Sequence, residues 1–163
     1  MTQYCGDMAV LLGIIGDTQG RYSVSGLMEQ VRHHFDSVDE VWHAGDWEYA
    51  EVLDELRSIA PLTVVNGNAP DDPRYPEHVV REIEGWRVGM VHRPPHSPDA
   101  WASSLGICIH GHTHRWRDEV VDGVRYINVS TATAGSFSRD RTAGILTVGP
   151  GSADLQRVEF TKT

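Results

Sequence analysis

The first strongly patterned stretch is an unbroken apolar run at residues 9–15 (AVLLGII), which has strand length and no polar alternation. That is the pattern of a strand buried on both faces. Behind Ser23, the residues Val24, Leu27, Met28, Val31 and Phe35 recur at helical spacing, and the serine is suited to cap the first turn. Residues 39–44 (DEVWHA) predict a second strand. A second helix follows over residues 49–59 through Val52, Leu53, Leu56 and Ile59. Pro61 stops that helix, and residues 62–65 (LTVV) predict a third strand. Strand–helix–strand–helix–strand order implies right-handed crossovers and a parallel sheet.

The second half has a different rhythm. Residues 79–83, 87–91, 106–109, 119–121, 124–129, 144–148 and 155–160 are short strand candidates separated by Gly, Pro and Asp turns. Asp122-Gly123 supplies the positive φ angles of a tight hairpin turn. Only residues 98–104 read as helical there. No repeat, low-complexity tract or charge block marks a linker. Residues 1–163 therefore read as a single domain of the α/β class (α+β by some schemes). Its parallel strands come first and an antiparallel half second, in two sheets packed face to face.

Composition narrows the function classes. The chain has 163 residues, 40% of them hydrophobic, and a formal net charge of −9. No apolar run approaches the roughly 18 residues of a spanning helix, and the first ten residues lack the basic segment of a secretory signal. A cytoplasmic, non-membrane protein is expected. The acid excess argues against stable nucleic-acid binding. Cys5 and Cys108 are too few for a disulfide framework or a four-thiolate zinc site. The nine histidines stand out, because His92, His96, His110, His112 and His114 fall in one short stretch.

The residues just past each predicted strand carry the chemistry. Gly16-Asp17-Thr18-Gln19 follows the first strand, Gly45-Asp46 the second and Asn66-Gly67-Asn68 the third. His92 follows WRVGMV, and His110-Gly111-His112-Thr113-His114 follows GICI. Open α/β sheets bind ligands beyond the carboxyl ends of their strands. A single Asp there is a common helix cap, but a series of Asp, Asp, Asn, His and His-x-His is not. Carboxylate, amide oxygen and imidazole together suit divalent ions such as manganese, iron, zinc or magnesium. A shared carboxylate can hold two such ions roughly 3.5–4 Å apart, the arrangement that hydrolyses phosphate esters.

The ordered series Gly16-Asp17, Gly45-Asp46, Gly67-Asn68, an isolated His92 and Gly111-His112-Thr113-His114 resembles the calcineurin-like metallophosphoesterases, in their small single-domain bacterial branch. The resemblance implies a two-sheet β-sandwich flanked by helices in four layers. It also implies metal-dependent hydrolysis of phosphate esters, most directly a phosphodiesterase whose nucleophile is a hydroxide shared by two metals. On that reading Asp46 bridges the two ions. Asp17, Gln19 and His114 complete the first site, and Asn68, His92 and His112 the second. Asp46, Asn68 and His92 are then the catalytic residues. Two divalent ions are implied, manganese first, with iron, zinc, nickel or magnesium as substitutes. Their charge outweighs the carboxylates, so a phosphate can approach an acidic protein.

The chain departs from the family pattern where D-x-H is usual and Asp17-Thr18-Gln19 stands. Three readings remain open: Gln19 coordinates through its amide oxygen, it holds a water, or catalysis is lost. The last makes the chain a non-catalytic scaffold on the same fold. Arg93, His96 and Arg115 lie close in sequence to the ligands and are candidates to bind substrate. Asn128-Val129-Ser130-Thr131 stands where many relatives carry a different turn, and no role is expected of it. His110 is expected to be structural, His43 to lie in the core or behind a ligand, and Trp42, Trp86 and Trp116 to pack. The expected partner is a small phosphate ester. A homo-oligomer is compatible with the sequence, which does not fix the oligomeric state.

Overall fold

A computed structural model describes residues 9–96, 99–134 and 138–163. In chain order the elements are β1 (Val10–Ile15), α1 (Val24–His34), β2 (Glu40–His43), α2 (Ala50–Arg57), β3 (Leu62–Val64), β4 (His78–Ile83) and β5 (Trp86–Val91). They continue with α3 (Ala100–Ser103), β6 (Ile107–His110), β7 (Trp116–Val121), β8 (Val124–Val129), β9 (Thr142–Gly149) and β10 (Ser152–Glu159). One sheet runs β10-β9-β1-β2-β3 and the other β4-β5-β6-β8-β7.

Strand alternation sorts the core into layers. Leu12, Ile14 and Trp42 face the second sheet and meet Val88, Met90, Ile107, Ile109 and Ile127 between the sheets. Ile15 and Val41 face the opposite way, onto Leu27, Met28 and Val31 of α1 and Val52, Leu53 and Leu56 of α2. Beyond the second sheet, Cys108 and Val124 pack with Leu105 and Trp101 of the α3 region. The order is helices, sheet, sheet, short helix, which matches the expected four-layer sandwich. Ser23 caps α1 as expected, its Oγ accepting from the Gly26 N–H at 3.1 Å. The Asp122-Gly123 turn has φ of 50° and 81°, the doubly positive pair of a tight hairpin.

The pairing departs from the expected split between a parallel and an antiparallel half. β9 and β10 return to flank β1 in the first sheet, while β5–β6 and β6–β8 pair in parallel in the second. A crossover through α3 separates β5 from β6, and the β7 strand separates β6 from β8, so the partners run the same way. This brings the ends of β5 and β6, which precede His92 and His112, to one edge. β7 and β10 also begin earlier than their apolar residues indicate. Both are edge strands, held by backbone pairing to one neighbour, and most of their side chains are exposed. The helix expected over 98–104 is seen at Ala100–Ser103; residue 98 lies outside the described residues, as does Cys5. Among the described residues, no helix is long and apolar enough to cross a membrane.

Phe35, fully buried at the end of α1, lies so close over Gly13 of β1 that a Cβ there would meet the ring at 2.8 Å. That contact sets how closely α1 approaches the sheet. Phe35→Ala is expected to cost about 3–5 kcal/mol through lost burial and a cavity, read as a lower urea midpoint with the m-value unchanged.

Candidate metal centre

Strand ends on the first sheet deliver two carboxylates to one place. Asp17 and Asp46 sit in turns that run side by side, with Asp17 N donating to Gly45 O at 3.0 Å and Thr18 N to Asp46 O at 2.8 Å. Both residues adopt left-handed backbone, with φ of 49° and 56°. His112 (72°) and His114 (52°) do the same. Asp and His tolerate that region better than most side chains, but each such residue still costs on the order of 1–3 kcal/mol. Four strained residues gathered at one edge mark a place where side-chain direction outweighs backbone comfort.

Ligand atoms of Asp17, Asp46 and His92 all lie within 4.8 Å of one another, and all three residues are buried. The His92 Nδ1 lies 2.8 Å from Ala44 O. A carbonyl can only accept, so Nδ1 carries a proton; Nε2 lies 3.2 Å from Asp46 Oδ2, donating to it when the ring is protonated and presenting a lone pair when the ring is neutral. Burial opposes ionisation of Asp46. Hydrogen bonds from His92, the Ala69 N–H and Gln19 outweigh it and hold the carboxyl well below the usual carboxylate range. Burial likewise opposes protonation of His92, but Asp46 and Asp17 raise its pKa. The cluster attracts positive charge.

The remaining candidates close around this trio. His114 Nε2 lies 3.2 Å from Asp17 Oδ1, and that contact, working against burial, raises its pKa. Its Nδ1 is buried with no hydrogen-bond partner among the described residues. Asn68 N and Ala69 N donate to Asp46 Oδ1 at 2.5 and 3.0 Å. Hydrogen bonding orients the Asn68 amide with Nδ2 toward His112 Nδ1 (3.0 Å) and His92 Nε2 (2.9 Å), and Oδ1 toward the Arg93 guanidinium. The Gln19 amide nitrogen donates to Asp46 Oδ2 at 2.8 Å. Two side-chain N–H donors thus fill the lone pairs of Asp46, His92 and His112 that a cation would take. An amide turned half over offers oxygen instead. The donor set of carboxylates, imidazoles and amides fits hard or borderline divalent ions. Gln19 and Asn68 behave alike in this respect.

The supporting shell was only partly expected. His43, fully buried, accepts from the Gly45 N–H at Nδ1 (3.1 Å) and lies 3.0 Å from Thr18 Oγ1 at Nε2. Burial drives its pKa down to about 3, so it stays neutral and ties one carboxylate-bearing turn to the other. The segment Asn128-Val129-Ser130-Thr131, of which no role was expected, holds both sides of the centre. Asn128 donates to Gly111 O and Thr113 Oγ1, each at 3.0 Å, and Ser130 Oγ to His114 O at 2.9 Å. Thr131 Oγ donates to Asp17 O at 2.8 Å. No sequence motif separates such groups from ordinary buried polar residues. Gly111 could be read from its place: a Cβ there would meet Asp17 Oδ2 at 2.7 Å, and one on Gly67 would strike Asp46.

The peripheral candidates spread out. Arg93 is exposed and bonds the Asn68 amide oxygen. His96 is also exposed, and lines a cavity with Arg93, Pro94, Pro95 and Trp101. Arg115 lines a different cavity, beside Pro94, Thr113 and Trp116. His110 is buried against Arg117 and Gly111 O, with its pKa pushed down to about 4, chiefly by burial. Trp42 sits in the inter-sheet core and Trp47 in the core under the helices, while Trp86 donates to Gly149 O. Buried Cys108 has its thiol pushed up to about 12 by burial.

Residues 10–152 match the family model described as the calcineurin-like phosphoesterase superfamily domain, and the chain belongs to that family. It is 34% identical over 118 residues to a protein named probable metallophosphoesterase from Methanothermobacter thermautotrophicus, a match that spans 65% of this chain and 67% of that protein. Vacuolar protein sorting 29 from Cryptosporidium parvum shares the fold with a TM-score of 0.74 at 22% identity, over 96% of this chain and 100% of that one. An archaeal phosphodiesterase does so with a TM-score of 0.73 at 20% identity, over 93% and 100%.

Gly67→Ala and Thr18→Val keep every candidate ligand residue, but the first pushes Asp46 aside and the second removes the hydroxyl that meets His43. Each is expected to weaken manganese binding by about 10–100-fold, the usual effect of losing an orienting group. Titration calorimetry, with circular dichroism to verify the fold, checks this.

Proposed function

We propose that the protein hydrolyses small phosphodiesters with two divalent ions, manganese first. The observation that carries the reading is the convergence of Asp17, Asp46 and the His92 Nε2 within 4.8 Å, with His92 aimed by the Ala44 carbonyl. Asp17, Gln19, Asp46 and His114 would hold one ion, and Asp46, Asn68, His92 and His112 the other. Such ions supply Lewis acidity toward the phosphoryl oxygens and an activated water as nucleophile. The chain's own part is orientation. Asp46 is fixed by the Asn68 and Ala69 N–H groups, and His92 by Ala44. Arg93, held beside Asn68, is placed to meet a phosphate oxygen. An N–H fork there adds positive charge at the edge of the centre. The net charge of −9 speaks against a long nucleic acid as substrate, and a cytoplasmic setting suits the chain.

A second reading, a non-catalytic scaffold on the same fold, is favoured by one observation: Gln19 donates its N–H to Asp46 where the family usually has an imidazole. It predicts metal binding without turnover.

The separating assay is hydrolysis of bis(p-nitrophenyl) phosphate with manganese, with and without chelator. Chelator-sensitive turnover is expected, reduced at least about 100-fold in kcat/KM by Asp46→Asn with the fold retained. No turnover by the wild type, or full activity in the variant, overturns the reading.

A further inference from the structure

A cavity of about 440 Å³ opens immediately beside the metal centre, lined by His78, Val91, Arg93, Pro94, Pro95, His96, Asp99 and Trp101. Its volume lies in the range of small-molecule sites. Arg93 links the two: its guanidinium bonds Asn68 in the centre, the residue lines the cavity, and His92 stands one residue away. The other walls are stiff and mostly apolar. Pro94 and Pro95 have fixed φ, Val91 belongs to β5, and Trp101 is set against Leu105 and Gly89 by α3. His78 contacts the Trp101 ring edge-on, with centroids 5.0 Å apart at 63°.

The charge arrangement says what can enter. Among the described lining residues Asp99 is the one carboxylate, and it is committed to capping α3, accepting from Trp101 N at 2.7 Å and Ala102 N at 3.4 Å. Among the described lining residues Arg93 is the one fixed cation, and it also bonds Asn68 of the centre. A group that fits has its anionic part at Arg93 and an uncharged, flat part against Trp101, Pro94 and Pro95. A second phosphate would find, among the described lining residues, one arginine, the imidazoles of His78 and His96, and then apolar walls. The cavity between α1 and α2, lined by Glu29, Arg32, Glu51 and Glu55, has the opposite character and lies among other residues.

We infer that this cavity seats a planar, uncharged aromatic ring on the ester arm that stays on the phosphate, opposite the leaving group, of the kind a nucleobase or an aryl alcohol supplies. The inference rests on the phosphodiesterase reading in assigning the ring to an ester arm. Ring stacking against Trp101 supplies the discrimination, and Pro94 and Pro95, with φ fixed by their rings, line the slot.

The test uses three diesters that release p-nitrophenolate: the methyl, the phenyl and the thymidine 5′-ester of p-nitrophenyl phosphate, each with manganese. The ratio of kcat/KM for the phenyl or thymidine ester to that for the methyl ester is expected to be about tenfold, the order expected for one stacked base. Whichever ester shows it identifies the source of the ring. Trp101→Ala, which removes the stacking face, and Val91→Phe, which fills the slot, should each bring the ratio near one. A wild-type ratio near one, or a ratio unmoved in both variants, overturns the inference. Binding is read separately, by titrating thymidine and phenol into chelator-treated wild-type protein and following the Trp101 indole N–H resonance, assigned with Trp101→Phe. A saturable shift with either is expected, and its absence with both overturns the inference. Absent turnover of all three esters sinks the phosphodiesterase reading, while the indole shift still decides the cavity.

Discussion

Two carboxylates held in a buried site, converging on each other, are the constraint around which this molecule is arranged. Asp17 and Asp46 cannot leave, because the turns that bear them are zipped together by backbone hydrogen bonds and sealed by His43 and Thr18. Converging negative charge in a low-dielectric setting is costly unless positive charge or dense N–H donation answers it. Here the answer comes from both sheets: peptide N–H groups of Asn68 and Ala69 from the β3 end, imidazoles from the β5 and β6 ends, and the side-chain amide of Gln19. The backbone strain at Asp17, Asp46, His112 and His114 is the conformational cost of aiming those groups inward.

The fold serves that convergence through strand direction. Parallel pairing of β1, β2 and β3 puts three strand ends on one edge, and parallel pairing of β5 with β6 does the same in the second sheet. The inter-sheet core of Leu12, Ile14, Trp42, Met90, Ile107 and Ile109 fixes the two edges against each other. Loops rather than strands carry the candidate ligands, so residues such as Gln19 or Arg93 can change with little demand on the core.

Much of this was legible in the residues. The run at 9–15, the helical spacing behind Ser23 and the Asp-Gly hairpin are local signals, and each appears within a residue or two of its expected place. The convergence of Asp17, Asp46 and His92 was legible because Asp, Asn and His following apolar runs beside glycine is a rare pattern. Sheet membership was not. Which strand β9 pairs with depends on packing between distant segments, and no local periodicity encodes it. β7 and β10 extended further than expected because edge pairing needs few apolar side chains. The roles of Asn128, Ser130 and Thr131 were hidden for another reason: they act through hydrogen bonds to partners remote in sequence.

The account stands or falls on whether the convergent lone pairs are a place for cations. Anomalous diffraction at the manganese edge from crystals grown with manganese measures this directly. The account predicts two peaks flanking Asp46, one beside Asp17, Gln19 and His114 and the other beside Asn68, His92 and His112. Crystals in which Asp46 has no anomalous density beside it, with the Gln19 amide nitrogen still on its carboxylate, would contradict it.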